Sequence, residues 1–213
     1  KGKSNSENVK AYTFTDGKIT IEKSNATVDI PWCMVYANQS FGTMVSDKSL
    51  GFTWAINSRE NRLTPWYNDT MSDNRGEMLL LKYKGRFYDI ACIGRAEFTP
   101  YGASWSAETD GVSVSAEIRI PKRGLVKKCR VKFENKSEKN IEFEIFYYIL
   151  PVLGVSRDSC GSFFAKVNEN GVLIENSCSE MRGFLSLNCD SGADFVCFDR
   201  QDFLSGNYGN DGY

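Results

Sequence analysis

The stretch Val112-Ser113-Val114-Ser115-Ala116-Glu117-Ile118-Arg119-Ile120 alternates apolar and polar residues without a break. Successive side chains of a strand point to opposite faces, so a period of two describes a strand with one face in a core and one in water. The pattern recurs downstream, where Cys129, Val131 and Phe133 alternate with Arg130, Lys132 and Glu134. It recurs again where Ile141, Phe143, Ile145, Tyr147 and Ile149 alternate with Glu142, Glu144, Phe146 and Tyr148. The polar loop Asn135 to Asn140 between the last two predicts that they pair as antiparallel neighbours.

Working outward, Asp16-Gly17, Lys84-Gly85, Asp110-Gly111 and Asn170-Gly171 each stand between runs rich in β-branched or aromatic residues. Such dipeptides supply the backbone that tight hairpins need. The spacing predicts about 15 short strands and, with no long stretch holding a 3.6-residue apolar period, few and short helices. So many strands require packed sheets, and the expected fold is all-β, a two-layer antiparallel sandwich.

Composition then narrows function. The 213 residues contain no histidine, which excludes Ser-His-Asp and Cys-His nucleophile systems and HExxH zinc sites. Neither a metal nor a cofactor is expected. Lys plus Arg (26) against Asp plus Glu (27) give a net charge of −1. With no block of five like charges, the reading is no nucleic acid and no membrane contact by this domain. The seven cysteines, Cys33, Cys92, Cys129, Cys160, Cys178, Cys189 and Cys197, form no CxxC pair. They read as reduced thiols of a cytoplasmic protein. The N-x-S/T matches at Asn25, Asn38, Asn68 and Asn135 are then chance. Residues 1–9 read as linker or disordered, ahead of one β-sandwich domain over 10–213, an excised or truncated part of a larger enzyme.

One region departs from the strand rhythm. From Ala37 to Asp73 the chain is dense in Trp, Asn, Arg and Gly, and reads as a long ordered loop system. Trp54, Trp66 and Tyr67 stand among Asn57, Arg59, Glu60, Asn61, Arg62, Asn68 and Asp69. Aromatic faces pack on the C–H face of a pyranose, and paired donors and acceptors match vicinal hydroxyls, so the composition suits a sugar site. The same residues suit a subunit or domain interface, and a purely structural loop is the third reading. The carboxylates Glu60, Asp69 and Asp73 invite a glycosidase pair, but in Arg- and Asn-rich loops such groups more often form salt bridges or cap turns. The glycine-rich tail Gly206 to Gly212 carries no phosphate-loop spacing.

The succession Pro31-Trp32, Ala37-Asn38, Phe41-Gly42-Thr43, Gly51-Phe52-Thr53-Trp54, Asn57-Ser58-Arg59-Glu60-Asn61, Leu63-Thr64-Pro65-Trp66, Asn68-Asp69 and Asp73 resembles the amino-terminal β-domain of glycoside hydrolase family 94, formerly glycosyltransferase family 36. Within the family it is most similar to the carboxy-terminal part of cyclic β-1,2-glucan synthetases, with cellobiose phosphorylases more distant. Tyr147-Tyr148-Ile149-Leu150-Pro151-Val152-Leu153-Gly154, Asp199-Arg200 and Phe203-Leu204 resemble later family segments. The resemblance implies a galactose-mutarotase-like β-supersandwich joined to an (α/α)6 barrel, on which the general acid lies and phosphate attacks with inversion. It places no catalytic residue on this chain. Where the family carries H-G-x-G-Y-[ST], this chain has Phe98-Thr99-Pro100-Tyr101-Gly102-Ala103-Ser104-Trp105, and no site role carries over to that loop.

Three functions follow as expectations. The first is an accessory domain that shapes the sugar site for the helical catalytic domain of the same parent chain, with a β-glucan or gluco-oligosaccharide as ligand. The second is a self-sufficient carbohydrate-binding module with an exposed platform at Trp54, Trp66 or Trp105. The third is a structural homodimerisation surface. The candidate site residues are Trp54, Asn57, Arg59, Glu60, Asn61, Arg62, Trp66, Asn68 and Asp69.

Overall fold

The computed structural model describes residues 12–22, 31–66, 76–156, 163–176, 184–200 and 203. Among them are fifteen strands: β1 (Thr13–Thr15), β2 (Lys18–Glu22), β3 (Cys33–Ala37), β4 (Phe41–Ser46), β5 (Ser49–Ala55), β6 (Glu77–Tyr83), β7 (Arg86–Asp89), β8 (Arg95–Thr99), β9 (Gly102–Thr109), β10 (Val112–Arg119), β11 (Lys128–Asn135), β12 (Glu144–Ile149), β13 (Phe163–Asn168), β14 (Gly171–Asn176) and β15 (Phe184–Asn188). Arg200 and Phe203 are helical. Residues 1–9 lie outside the described residues.

The strands form a six-stranded sheet, β1-β2-β8-β9-β10-β11, and three three-stranded sheets, β3-β4-β5, β12-β6-β7 and β13-β14-β15. Every pairing is antiparallel. The largest core lies under the six-stranded sheet, where Val112, Val114, Ala116 and Ile118 of β10 are fully buried, as their alternation predicts. Leu79 and Leu81 of β6 and Tyr36, Val45 and Leu50 of the β3-β4-β5 sheet close it from the other side. The layer opposite the six-stranded sheet is therefore built from two small sheets side by side. A second core joins Phe41, Ala55, Leu63 and Leu153 to Val172 and Ile174 of β14.

The Asp16-Gly17, Lys84-Gly85 and Asp110-Gly111 hairpins form as read, with both residues of each pair at positive φ. The fourth is displaced by one residue: Gly171 already pairs with Asn168 across the β13–β14 ladder, and the loop is Glu169-Asn170.

Two expectations are corrected. First, β11 and β12 are not hydrogen-bonded to each other. β11 pairs with β10, and β12 pairs with β6 in another sheet. The loop from Lys136 to Phe143 passes between layers, and Phe133 stacks on Phe143 at 4.5 Å across the gap. This also explains the apolar Phe146 and Tyr148 in the nominally polar register of β12. They pack on the outer face of β6, with Met78 and Leu80, under Phe203. Second, the region from Ala37 to Asp73 is not loop throughout, because Phe41–Ala55 is a hairpin, β4 against β5. Trp54 is accordingly a strand residue.

Candidate functional site

The segment after β5 is held as an irregular extra strand. Ala55 N–H donates to Asn61 O at 3.1 Å and Leu63 N–H to Thr53 O at 2.9 Å, so the segment runs back along β5. On its other side Arg62 and Gly154 exchange two backbone bonds of 3.0 Å, and Val152 N–H donates to Leu63 O at 2.9 Å. A polar, glycine-poor segment is ordered here because its backbone groups have partners on both sides.

Between those anchors, Asn57 caps a tight turn. Its Oδ1 accepts from the N–H groups of Arg59 (2.8 Å) and Glu60 (3.0 Å). This is the turn-capping role that asparagine takes in such loops. Arg59 and Glu60 form an exposed ion pair at 3.4 Å, with 82% and 51% of their side chains accessible, a pair worth little in energy. Asn61 is buried, and its Oδ1 has no hydrogen-bond partner. Ile56, which opens the turn, takes φ +65°.

The aromatic residues gather around Phe52, which is not among the candidate residues that the sequence points to. Alternation along β5 puts Phe52 and Trp54 on one face, their rings 5.1 Å apart. Trp66 stacks on Phe52 at 5.9 Å and 16°, and the Arg62 guanidinium carbon lies 5.9 Å from the same ring. Phe52 is thereby buried, whereas Trp66 is 43% exposed. Across the ladder Gly42 faces Trp54, and a Cβ on Gly42 would overlap the indole. Glycine there lets the ring lie flat on β4. The signal for Phe52 was the i, i+2 spacing to Trp54.

The structure thus brings Trp54, Arg62 and Trp66 together, places Asn57 and Asn61 in the backbone scaffold of the turn, and leaves Arg59 and Glu60 on its outer surface. Asn68 and Asp69, with Tyr67 and Asp73, lie outside the described residues. Trp105 is no part of a platform: it is fully buried, donates from Nε1 to Ser46 O at 3.2 Å and packs edge-on against Phe98. It points inward because β9 alternates and its odd positions face the core. Among the described residues no group of three Cys, Asp or Glu side chains is placed to hold a metal ion. The described cysteines Cys33, Cys129, Cys189 and Cys197 are free thiols.

Beneath the aromatic cluster lies a polar network that composition did not signal. Glu77, at the start of β6, is buried. Its Oε1 accepts from Thr53 Oγ1 (2.5 Å) and Thr64 Oγ1 (2.8 Å), and its Oε2 from Lys127 Nζ (2.6 Å) and Tyr147 Oη (2.9 Å). Lys127 Nζ also donates to Leu50 O at 2.6 Å and reaches Thr43 Oγ1 at 3.1 Å. At Gly51, with φ +145°, a Cβ would overlap Thr43 Oγ1 and Lys127 Nζ, so the lysine enters where a side chain is missing. Burial, reinforced by the Glu77 charge, holds the Tyr147 hydroxyl well above the usual tyrosine range. Burial likewise raises the Cys129 thiol to about 11, with Lys127 opposing and Glu77 adding. Thr64 ties the segment carrying Trp66 to this network, so the exposed ring rests on a rigid base.

The family model described as "Glycosyl hydrolase 94, supersandwich domain" matches residues 17–209. The cyclic beta-(1,2)-glucan synthase NdvB of Rhizobium meliloti (strain 1021) is 27% identical over 143 residues, 62% of this chain and 5% of the relative. The chain therefore spans about one twentieth of that relative's length. With the packed antiparallel sheets and the ordered segment after β5, the match over residues 17–209 establishes that this chain belongs to the supersandwich domain family of glycosyl hydrolase 94.

Proposed function

We propose that this domain is an accessory carbohydrate-handling sandwich of a glycoside phosphorylase or cyclic β-1,2-glucan synthetase-like enzyme, which shapes a sugar site for a helical catalytic domain of the same parent chain. The observation that carries the reading is the row Trp54–Phe52–Trp66 with Arg62 over its centre. An exposed indole on a buried aromatic base gives a pyranose a flat apolar face, and the adjacent guanidinium gives its hydroxyls a donor. Asn68 and Asp69, which follow in the sequence, are of the polar residue types that pair with sugar hydroxyls.

The chain has no catalyst of its own in this reading. Glu60, the described carboxylate of the segment, sits on the outer surface in an ion pair with Arg59. The free thiols agree with a cytoplasmic setting. The test is twofold. Incubated alone with sophorose or cellobiose and phosphate, the chain should release no glucose 1-phosphate. Titrated with β-glucan oligosaccharides, it should bind weakly through Trp66. Turnover by the chain alone would overturn the accessory reading, and an unchanged spectrum at ~10 mM ligand, near −3 kcal/mol, would remove the sugar from it.

A further inference from the structure

The net charge of −1 conceals a one-sided distribution. From Arg119 to Lys132 the chain carries seven Lys and Arg residues and no Asp or Glu. One of them, Lys127, is turned inward to Glu77. Arg119, Lys122, Arg123, Lys128, Arg130 and Lys132 are exposed. Arg119 is paired with Glu117, but among the described residues none of the other five makes an ion pair.

Their arrangement is fixed by the fold. Among the described residues β11 is the last strand of the six-stranded sheet, and Cys129, Val131 and Phe133 pack toward the core. Lys128, Arg130 and Lys132 therefore line the outer face at steps of about 7 Å. The ladder sets Arg130 opposite Glu117, which is paired with Arg119, and sets Lys128 directly opposite Arg119, a like-charge pair that lowers stability. The loop before β11 is pinned at both ends. Asn38 Nδ2 donates to Pro121 O and Gly124 O, each at 2.9 Å, and Lys127 is locked in the interior. Between those pins Leu125 and Val126 stand 54% and 46% exposed, with Lys122 and Arg123 before them and Lys128 after.

Against the expectation of no membrane contact drawn from the net charge, we propose that the Lys122–Lys132 edge docks on the surface of an anionic phospholipid bilayer. Aliphatic side chains at the tip of a rigid loop enter the boundary between headgroups and acyl chains, while the cations flanking them and those along β11 meet lipid phosphates. A nucleic acid is the poorer fit, because the apolar members are aliphatic and offer no ring for base stacking. A cost in stability from Arg119 facing Lys128 is what a surface kept for an anion would carry.

The test is co-sedimentation of the chain with vesicles of about one third phosphatidylglycerol in phosphatidylcholine, against pure phosphatidylcholine. Binding to the anionic vesicles alone, lost at about 1 M salt where the Debye length is ~3 Å, is the expected result. The triple variant Lys128→Gln, Arg130→Gln, Lys132→Gln should weaken it about 100-fold, at roughly fivefold per cation. Leu125→Ser with Val126→Ser should weaken vesicle binding about tenfold or more and leave binding to a soluble polyphosphate unchanged. Both variants alter exposed side chains, and an unchanged unfolding midpoint shows that they fold. The proposal is overturned by equal binding to neutral vesicles, by indifference to either variant, or by tighter binding to duplex DNA or polyphosphate than to vesicles. Glucan binding through Trp66 is read in a separate titration, so either result stands without the other.

Discussion

Glu77 and Lys127, fifty residues apart, meet at 2.6 Å inside the sandwich, with only 3% and 9% of their side chains accessible. Each charge is fully occupied: the carboxylate by two threonine hydroxyls, a tyrosine hydroxyl and the ammonium, the ammonium by a carbonyl and threonine oxygens as well. Removing one member strands the other in a low-dielectric interior. Lys127→Met should therefore destabilise the fold by about 3–5 kcal/mol. Lys127→Met with Glu77→Leu should cost less than the sum of the single substitutions. Equilibrium urea unfolding of the three variants checks this, and additive losses would show that the two charges are not coupled.

The tryptophans divide by burial, which sets the spectroscopic outcome. Trp66 is 43% exposed on the Phe52 face, whereas Trp105 is sealed in the main core. A fluorescence change on adding β-glucan oligosaccharide should vanish in Trp66→Phe and persist in Trp105→Phe. Trp105→Ala should instead lower stability by about 3–5 kcal/mol, the cost of a large core cavity. A ligand signal that survives Trp66→Phe would move the binding surface elsewhere.

Ile56 opens the Asn57 turn at φ +65° and is 67% exposed. A left-handed backbone costs an L-residue roughly 1–2 kcal/mol, and β-branching makes it worse. Little packing offsets this, so Ile56→Gly should raise stability by about 1 kcal/mol after the added freedom of the unfolded chain is counted. A lower unfolding midpoint would mean that the isoleucine makes contacts worth more than the strain.

Alkaline pH should weaken the fold early. Burial raises Cys129 from 9.0 to about 11 and Tyr36 from 10.0 to about 12, the latter while its hydroxyl donates to Thr99 O. Tyr147 moves in the same direction. For each group the folded state holds its proton to higher pH than the unfolded chain, so stability is complete below pH 9 and falls as pH rises from 9 toward 12. Denaturation midpoints across that range should drop, and Cys129→Ser should remove the first part of the fall, between 9 and 11. A flat profile in the wild-type chain would count against the buried thiol.

The family-bearing part of the sequence was legible because its information is local. Alternation in β10 gives the buried face directly, and Asp-Gly and Lys-Gly dipeptides fix three hairpins by backbone preference alone. The turn at Asn57 was legible in outline, since its side chain caps amides two and three residues on. The pairing of β11 and β12 was misread for an equally physical reason. An alternating strand, a polar loop and another alternating strand look the same whether the strands bond to each other or leave for different sheets. The backbone ladders distinguish the two, β11 bonding to β10 and β12 to β6.

By itself, then, the sequence determined an all-β chain, three of its hairpins and the ordered Trp- and Asn-rich segment after β5, because strand periodicity and turn chemistry act between near neighbours. The tertiary structure alone decided that Trp105 is core while Trp66 is surface, that Phe52 anchors the aromatic row, and that Glu77 finds Lys127. It also decided that five cations of one stretch, Lys122, Arg123, Lys128, Arg130 and Lys132, share an exposed edge. These are relations between residues far apart in the chain, and burial, pairing and electrostatic field are set by distance in space.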